Sequence, residues 1–332
     1  ARVTGDSVMR YQNLWRYAAL LFVIVAGLWL FGPREPASLS LPTYDIAAPG
    51  DLDAYLATRE AVFDDIVPGT KKSIVWADKR GTQTDIAIVY IHGFSASAME
   101  LQPLPNHVAS ALGANLFFTR LTGHGRGSMA MQTASVAGWM QDMAEALAIG
   151  RRIGRRIIII ATSTGGTLAA AAALDAAAMT QVAGIVFVAP NFGLQNNASP
   201  LLTWPFARQW VPLLVGAMRD SPPRNPLHAR YWTTRYPTVA LLPMAALVNR
   251  VAAADLVSAT VPALFYFSPE DKVVRPDKTA AVADRWGGPA SVVTPVLGPA
   301  DDPLAHIIAG DIVSPGQTAG AVAAILAWVR AL

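Results

Sequence analysis

Apolar positions dominate two kinds of stretch in this chain. The first is a single long run: residues 17–32 (YAALLFVIVAGLWLFG) carry no charge and follow Arg2, Arg10 and Arg16. At about 1.5 Å per residue such a helix spans roughly 24 Å, close to the ~30 Å hydrocarbon thickness of a bilayer. The second kind is short and recurrent. After a Pro-, Ser- and Ala-rich linker (33–50), DLDAYLATREAVFDDI (51–66) spaces Leu52, Tyr55, Leu56 and Val62 helically, with Asp51 available as a cap. SIVWA (73–77) reads as a strand, and DIAIVYIHGF (85–94) as a strand ending in a His-Gly turn. A helical segment follows to about Leu112, then the strand NLFFTRL (115–121), the glycine-rich loop TGHGRGS (122–128) and a helix over 135–153. Four isoleucines (157–160) make a β-branched strand, and the alanine-rich stretch after Gly166 makes a helix.

The strand GIVFVAP (184–190) comes next, and regularity then stops between Asn191 and about Thr260, where prolines and tryptophans cluster. Alternation resumes with PALFYF (262–267), a helix near 276–286, the strand ASVVTPVL (290–297) and a terminal helix from about Gln317. Strands apolar on both faces that alternate with helices predict an α/β fold, a mostly parallel sheet covered on both sides. The expected division is a basic flank (1–16), the apolar helix (17–32), a linker and N-terminal helix (33–72), a core built from 73–190 and 261–332, and an insertion (191–260) capping the C-terminal edge of the sheet.

Composition narrows the function. A length of 332 residues with 53% hydrophobic content suits one large domain with an insertion. The formal charge is only +3, and the densest basic run, RRIGRR (151–156), suits the solvated end of a helix; nucleic acid is not an expected partner. With no cysteine, a disulfide framework, a thiol nucleophile and a Cys-ligated metal are all excluded. The apolar run reads as a signal anchor, with Arg16 able to snorkel and Trp15, Tyr17 and Trp29 at the interface; a cleaved signal peptide and a buried helix are the alternatives. No convincing cleavage site follows it, since GPREPASLSLP is charged and proline-rich. Arginines on its N-terminal side leave the body of the protein on the non-cytoplasmic side, the periplasm in a Gram-negative cell.

The chemistry concentrates at IIIIATSTGGT (157–167), where a strand turns sharply into a helix at Ser163. Such a corner lifts a hydroxyl above the sheet and aims backbone N–H groups at a reacting carbonyl, and it requires small residues two before and two after the serine. Those positions are Ala161 and Gly165, an A-x-S-x-G variant of the usual G-x-S-x-G. On this fold the acid and the histidine follow the serine in that order. Of the five histidines only His306 follows the last two core strands; His228 lies in the irregular insertion. SPEDKVV (268–274) puts Asp271 in the loop beyond the penultimate strand, with Glu270 as runner-up and Asp302 third. Phe94, after the His-Gly turn, and Thr164 are the expected oxyanion donors, with Ser95 an alternative for the first. His92 and His124 read as structural. Trp204, Phe206 and Trp210, in LLTWPFARQWVPLL (201–214), would line an apolar lid suited to an acyl chain, or else pack the cap onto the core.

These motifs resemble the α/β-hydrolase superfamily, in its monoacylglycerol-lipase, lysophospholipase and serine-aminopeptidase-like branch. YIHGF (90–94) is similar to that branch's oxyanion strand, LTGHGRGS (121–128) to its Gly-His-Gly loop, ATSTGG (161–166) to its nucleophile elbow, SPEDKVV to its acid loop and AHIIAGD (305–311) to its histidine loop. The resemblance runs from about Ser73 onward and departs from the family at Ala161. It implies Ser163 as nucleophile, Asp271 as acid, His306 as base, backbone donors at Phe94 and Thr164, and no metal or organic cofactor. The expected activity is hydrolysis of a carboxylic ester, lipid-derived and held near a membrane, through an acyl-enzyme. A peptidase, thioesterase or acyltransferase on the same fold, and a membrane-tethered interaction protein, are the alternatives.

Overall fold

The computed structural model describes residues 5–44, 46 and 50–332, with the backbone alone for 5–13. Arg2, part of the basic flank, and the side chain of Arg10 lie outside the described residues. The apolar run belongs to a longer helix, α1 (Gly5–Phe31), which continues back through the flank because nothing there breaks it. Leu14–Phe31 is apolar and long enough to cross a membrane, and none of it is buried in the protein. Gly32 and Pro33 end the helix. A shorter helix, α2 (Leu52–Glu60), is capped by Asp51, whose carboxylate accepts the N–H groups of Asp53 and Ala54.

The sheet then assembles from β1 (Ser73–Val75), β2 (Thr84–Ile91), helix α3 (Leu104–Leu112), β3 (Asn115–Phe118), α4 (Val136–Ile153), β4 (Gly154–Thr162), α5 (Thr164–Ala172) and β5 (Val182–Val188). An insertion follows, holding α6 (Ala207–Val215), β6 (Met218–Asp220), α7 (Pro226–Tyr231), β7 (Arg235–Pro237) and α8 (Leu241–Ala252). The chain returns through β8 (Ala263–Tyr266), α9 (Pro276–Arg285), β9 (Ala290–Val293) and α10 (Thr318–Arg330). Strand order is β1-β3-β2-β4-β5-β8-β9. All neighbours are parallel except β1, which runs antiparallel to β3 at one edge.

The isoleucine run explains the layers. Ile157, Ile159 and Ala161 enter the core on one face of the sheet, while Ile158 and Ile160 enter the core on the other. Period-two alternation therefore leaves β4 apolar at every inward position, as a central strand of a covered sheet requires. Fully burying each isoleucine contributes about 1.5–3 kcal/mol, so the centre of the sheet is a deep and rigid platform.

The region expected to be irregular is more ordered than proline and tryptophan suggested. β6 and β7 form a two-stranded antiparallel ribbon, and α8 returns to the sheet. Met244, Leu247, Val248 and Val251 of α8 pack into the same core as Ile157 and Ile159. Pro243 does not prevent this because proline is tolerated in the first turn of a helix, where its missing N–H has no partner to lose. RRIGRR is likewise split: Arg151 and Arg152 close α4, while Arg155 and Arg156 already belong to β4.

The segment before the sheet is fastened by buried ion pairs. Arg120 binds both oxygens of Glu60 at 2.8 and 2.7 Å, and Lys72 reaches Asp142 at 3.0 Å and also pairs with Glu145. Tyr44 and Tyr55 both donate to Glu145. Each of these charges has an opposite partner and several hydrogen bonds, which burial demands.

Candidate active site

β4 delivers Ser163 to the C-terminal edge of the sheet, and α5 begins at the next residue. Ser163 sits at φ 49°, ψ −118°, a backbone region costly for any residue with a Cβ, by about 1–3 kcal/mol. The strain is held from both sides: its N–H donates to the Val188 carbonyl at 3.0 Å, and its own carbonyl accepts the N–H groups of Asn191 and Thr167. Gly165 shows why the corner tolerates so little. A Cβ there would lie 2.5 Å from the carbonyl oxygens of both Ile91 and His92. At Ala161 the constraint is absent. That residue lies in the strand between Ile91 and Phe187, and its methyl is fully buried in the core.

The loops after β8 and β9 bring two side chains to this serine. His306 Nε2 lies 3.1 Å from Ser163 Oγ, and His306 Nδ1 lies 2.7 Å from Asp271 Oδ2. The other Asp271 oxygen accepts the N–H groups of Val273 and Val274 at 2.8 and 2.9 Å. A carboxylate can only accept, so Nδ1 carries the proton and donates it, leaving Nε2 with a free lone pair facing the hydroxyl. Glu270 is exposed and takes no part. Asp302 does not touch the imidazole either, yet it shapes the loop that carries it. Its buried carboxylate accepts the N–H groups of Leu304 at 2.9 Å, His306 at 3.2 Å and Ile307 at 2.8 Å, and it pairs with Arg224 from the insertion. Ala305 between them is held at φ 53°.

Phe94 and Thr164, the two expected donors, line the same cavity as Ser163 and His306. Thr164 is the first residue of α5, where the N–H has no intrahelical acceptor and the helix dipole is positive. The Phe94 loop is pressed onto the serine: a Cβ at Gly93 would lie 3.1 Å from Ser163 Cβ and 2.9 Å from Glu100 Oε1. Glu100 holds that loop, accepting the Gly93 N–H at 2.7 Å and the Tyr90 hydroxyl at 3.3 Å. Burial pushes the Glu100 carboxyl up to about 7. Sequence reading passed over Glu100, since a lone glutamate after a turn carries no motif. Ser95, the alternative donor, is tied to the insertion, its carbonyl accepting the Thr233 N–H at 2.7 Å.

His92 and His124 are buried beneath this loop. His92 Nε2 accepts the Leu121 N–H at 3.1 Å, so its Nδ1 donates to the Gly93 carbonyl at 2.8 Å. Burial lowers the pKa of His92 well below the usual histidine range and that of His124 to about 4, so both are neutral. The His92 ring lies against that of His124, which in turn meets Phe94 edge-on and Trp139 at a tilt.

Above the serine lies a cavity of about 830 Å³. Leu201, Leu202, Trp210, Val211, Leu241 and Met244 supply apolar wall, and Ser163 and His306 lie at its base. Trp204 and Phe206, expected beside Trp210, do not line it. Trp204 packs edge-on against Trp29, and the Phe206 N–H donates to the Pro33 carbonyl, because the chain leaving α1 crosses the insertion at this point.

A model of the family described as serine aminopeptidase, S33, matches residues 82–293. The chain belongs to this family. The S33-type match takes in the serine corner and Asp271 and ends before His306. A search among curated proteins finds no match. Solved structures agree on the α/β-hydrolase fold. One, from work on the metagenome-derived lipolytic enzymes LipS and LipT, is 19% identical with a TM-score of 0.64, over 80% of this chain and 100% of that one. The monoacylglycerol lipase of Paleococcus ferrophilus is 15% identical with a TM-score of 0.56, over 77% and 96%. A soluble variant of monoglyceride lipase from Saccharomyces cerevisiae is 11% identical with a TM-score of 0.56, over 89% and 98%. This S33-family chain is therefore a serine hydrolase of α/β-hydrolase fold.

Proposed function

We propose that this protein is a membrane-anchored esterase that cleaves lipid-derived carboxylic esters, of the lysophospholipid or monoacylglycerol kind. The observation that carries the reading is the hydrogen-bonded chain from Ser163 through His306 to Asp271, at the base of an apolar cavity. His306 takes the Ser163 proton as Oγ attacks the ester carbonyl, and Asp271 stabilises the imidazolium that forms. The N–H groups of Phe94 and Thr164 receive the oxyanion, the alcohol departs with the proton from His306, and water activated by the same imidazole releases the acid.

The cavity favours an acyl chain over a peptide. An aminopeptidase must hold a substrate ammonium with a carboxylate, and the one carboxylate lining the cavity among the described residues, Glu100, is buried, bound to Gly93 and Tyr90, and raised toward neutrality. In this reading α1 is the anchor and the hydrolase body lies on the non-cytoplasmic side; release after signal cleavage is the alternative. Residues 191–260 act as the cap.

Ser163→Ala should abolish turnover of p-nitrophenyl butyrate and of monoacylglycerol, and should abolish labelling by a fluorophosphonate probe. Retained turnover in that variant overturns the assignment. Faster hydrolysis of aminoacyl amides than of esters by the wild type would favour the peptidase reading instead.

A further inference from the structure

α6 walls the cavity with one side and meets solvent with another, where Arg208 and Gln209 of its first turn are followed by Leu213 and Leu214. Trp210, Val211 and Val215 line the cavity. On the outside Leu213 is 84% exposed and Leu214 75%, two consecutive apolar residues with no cover. Trp204, just before the helix, is 42% exposed. Exposed apolar side chains side by side mark a candidate interaction surface, and the segment that follows α1 points to what covers it.

The exit of α1 is fastened to this same part of the cap at three points. Trp29 stacks edge-on against Trp204 with ring centroids 4.9 Å apart. The Pro33 carbonyl accepts the Phe206 N–H at 2.8 Å. Glu35 forms a two-pronged ion pair with Arg208, at 3.0 and 2.7 Å, and the Glu35 side chain is only 5% exposed. A cavity wall and the end of a membrane-crossing helix are thus one unit. From Phe206 to Leu213 is seven residues of helix, so along the helix the leucines lie roughly 10 Å, at about 1.5 Å per residue, from the point where the chain leaves α1.

We infer that the outer face of α6, with Trp204, docks into the headgroup–acyl boundary of the bilayer that α1 spans, so that lipid esters enter the cavity directly from the membrane. The inference rests on the membrane-anchored reading for its docking and on the lipid-esterase reading for its substrate. Arg208, paired with Glu35, holds the apolar face to the segment that leaves α1. A single helix thickness then separates acyl chains in the membrane from the inner surface formed by Trp210, Val211 and Val215.

The absence of native cysteine permits a direct test. Full-length protein carrying Leu214→Cys, labelled with a polarity-sensitive fluorophore, is reconstituted into phosphatidylcholine–phosphatidylglycerol vesicles. Docking predicts a blue-shifted emission that brominated lipids quench; emission as in buffer, unquenched, overturns it. In parallel, Leu213→Asp/Leu214→Asp is assayed on p-nitrophenyl butyrate in solution and on monoacylglycerol embedded in vesicles. The expected result is an unchanged soluble rate, which also reports folding, with a vesicle rate lower by about tenfold. Arg208→Glu, which sets two like charges at the Glu35 latch, should reproduce this split. Equal loss on both substrates, or a wild-type dimer in detergent that these substitutions dissociate, overturns docking in favour of structural packing or a second copy. Failure of the wild type on both esters would refute the hydrolase reading while leaving the fluorescence result to stand alone.

Discussion

Asp302→Asn isolates a contribution that no motif announces. The carboxylate of Asp302 is buried, and its two oxygens serve the N–H groups of Leu304, His306 and Ile307 together with the guanidinium of Arg224. An amide keeps the shape but replaces one acceptor oxygen with an NH2 group. Whichever way it turns, two of the four donors lose their acceptor and face another donor. Hydrogen bonds to a charged acceptor contribute about 1.5–3 kcal/mol each, and breaking a buried ion pair costs about 3–5 kcal/mol. The expected destabilisation is therefore about 3–5 kcal/mol, a large share of the 5–15 kcal/mol that stabilises a typical domain. The same bonds fix where His306 stands, and a displacement of about 1 Å lowers rate by about a hundredfold. Urea denaturation of the detergent-solubilised full chain and steady-state kinetics on p-nitrophenyl butyrate measure both effects. The denaturation midpoint should fall, and kcat should drop with little change in KM. A midpoint and kcat both equal to wild type would refute the reasoning, because the loop would then hold His306 without this carboxylate.

Three further predictions concern the Phe94 loop and the serine corner. The Glu100 carboxyl is raised by burial to about 7 from an ordinary 4.5, so the folded protein keeps its proton where the unfolded chain has lost it. Stability should therefore fall as pH rises from about 4.5 to about 7, by roughly 3 kcal/mol in all, and Glu100→Gln should flatten that slope in denaturation measured across the range. Gly165→Ala should abolish esterase activity and lower the melting temperature sharply, because its Cβ would meet two backbone carbonyl oxygens at 2.5 Å that have no room to retreat. Ala161→Gly, which restores the commoner motif, should leave kcat unchanged and cost about 1 kcal/mol, since the elbow makes no demand on that methyl.

Much of the layer order was legible because it is a local matter. Buried parallel strands must be apolar on both faces, so four isoleucines, GIVFV and PALFYF announce themselves, and small residues around Ser163 announce a corner that admits no others. The order serine, aspartate, histidine narrowed five histidines to one by position alone. The insertion was legible only as an interruption. Its proline and tryptophan content hid α8, whose stability comes from Met244, Leu247 and Val251 meeting the sheet, a contact between distant segments.

What the one-dimensional pattern determined by itself is the kind of protein: an apolar helix, a covered parallel sheet, a strained serine corner and the candidate partners for it. Tertiary structure decided which groups meet. It chose Asp271 over the exposed Glu270, turned Asp302 from a rival acid into the holder of the histidine loop, placed Glu100 behind the Phe94 loop, and took Trp204 and Phe206 out of the cavity to meet the end of α1. The reason is physical. Hydrophobic periodicity is repeated within each element and can be read there, whereas a hydrogen bond between residues dozens or more positions apart depends on the packing of every element between them.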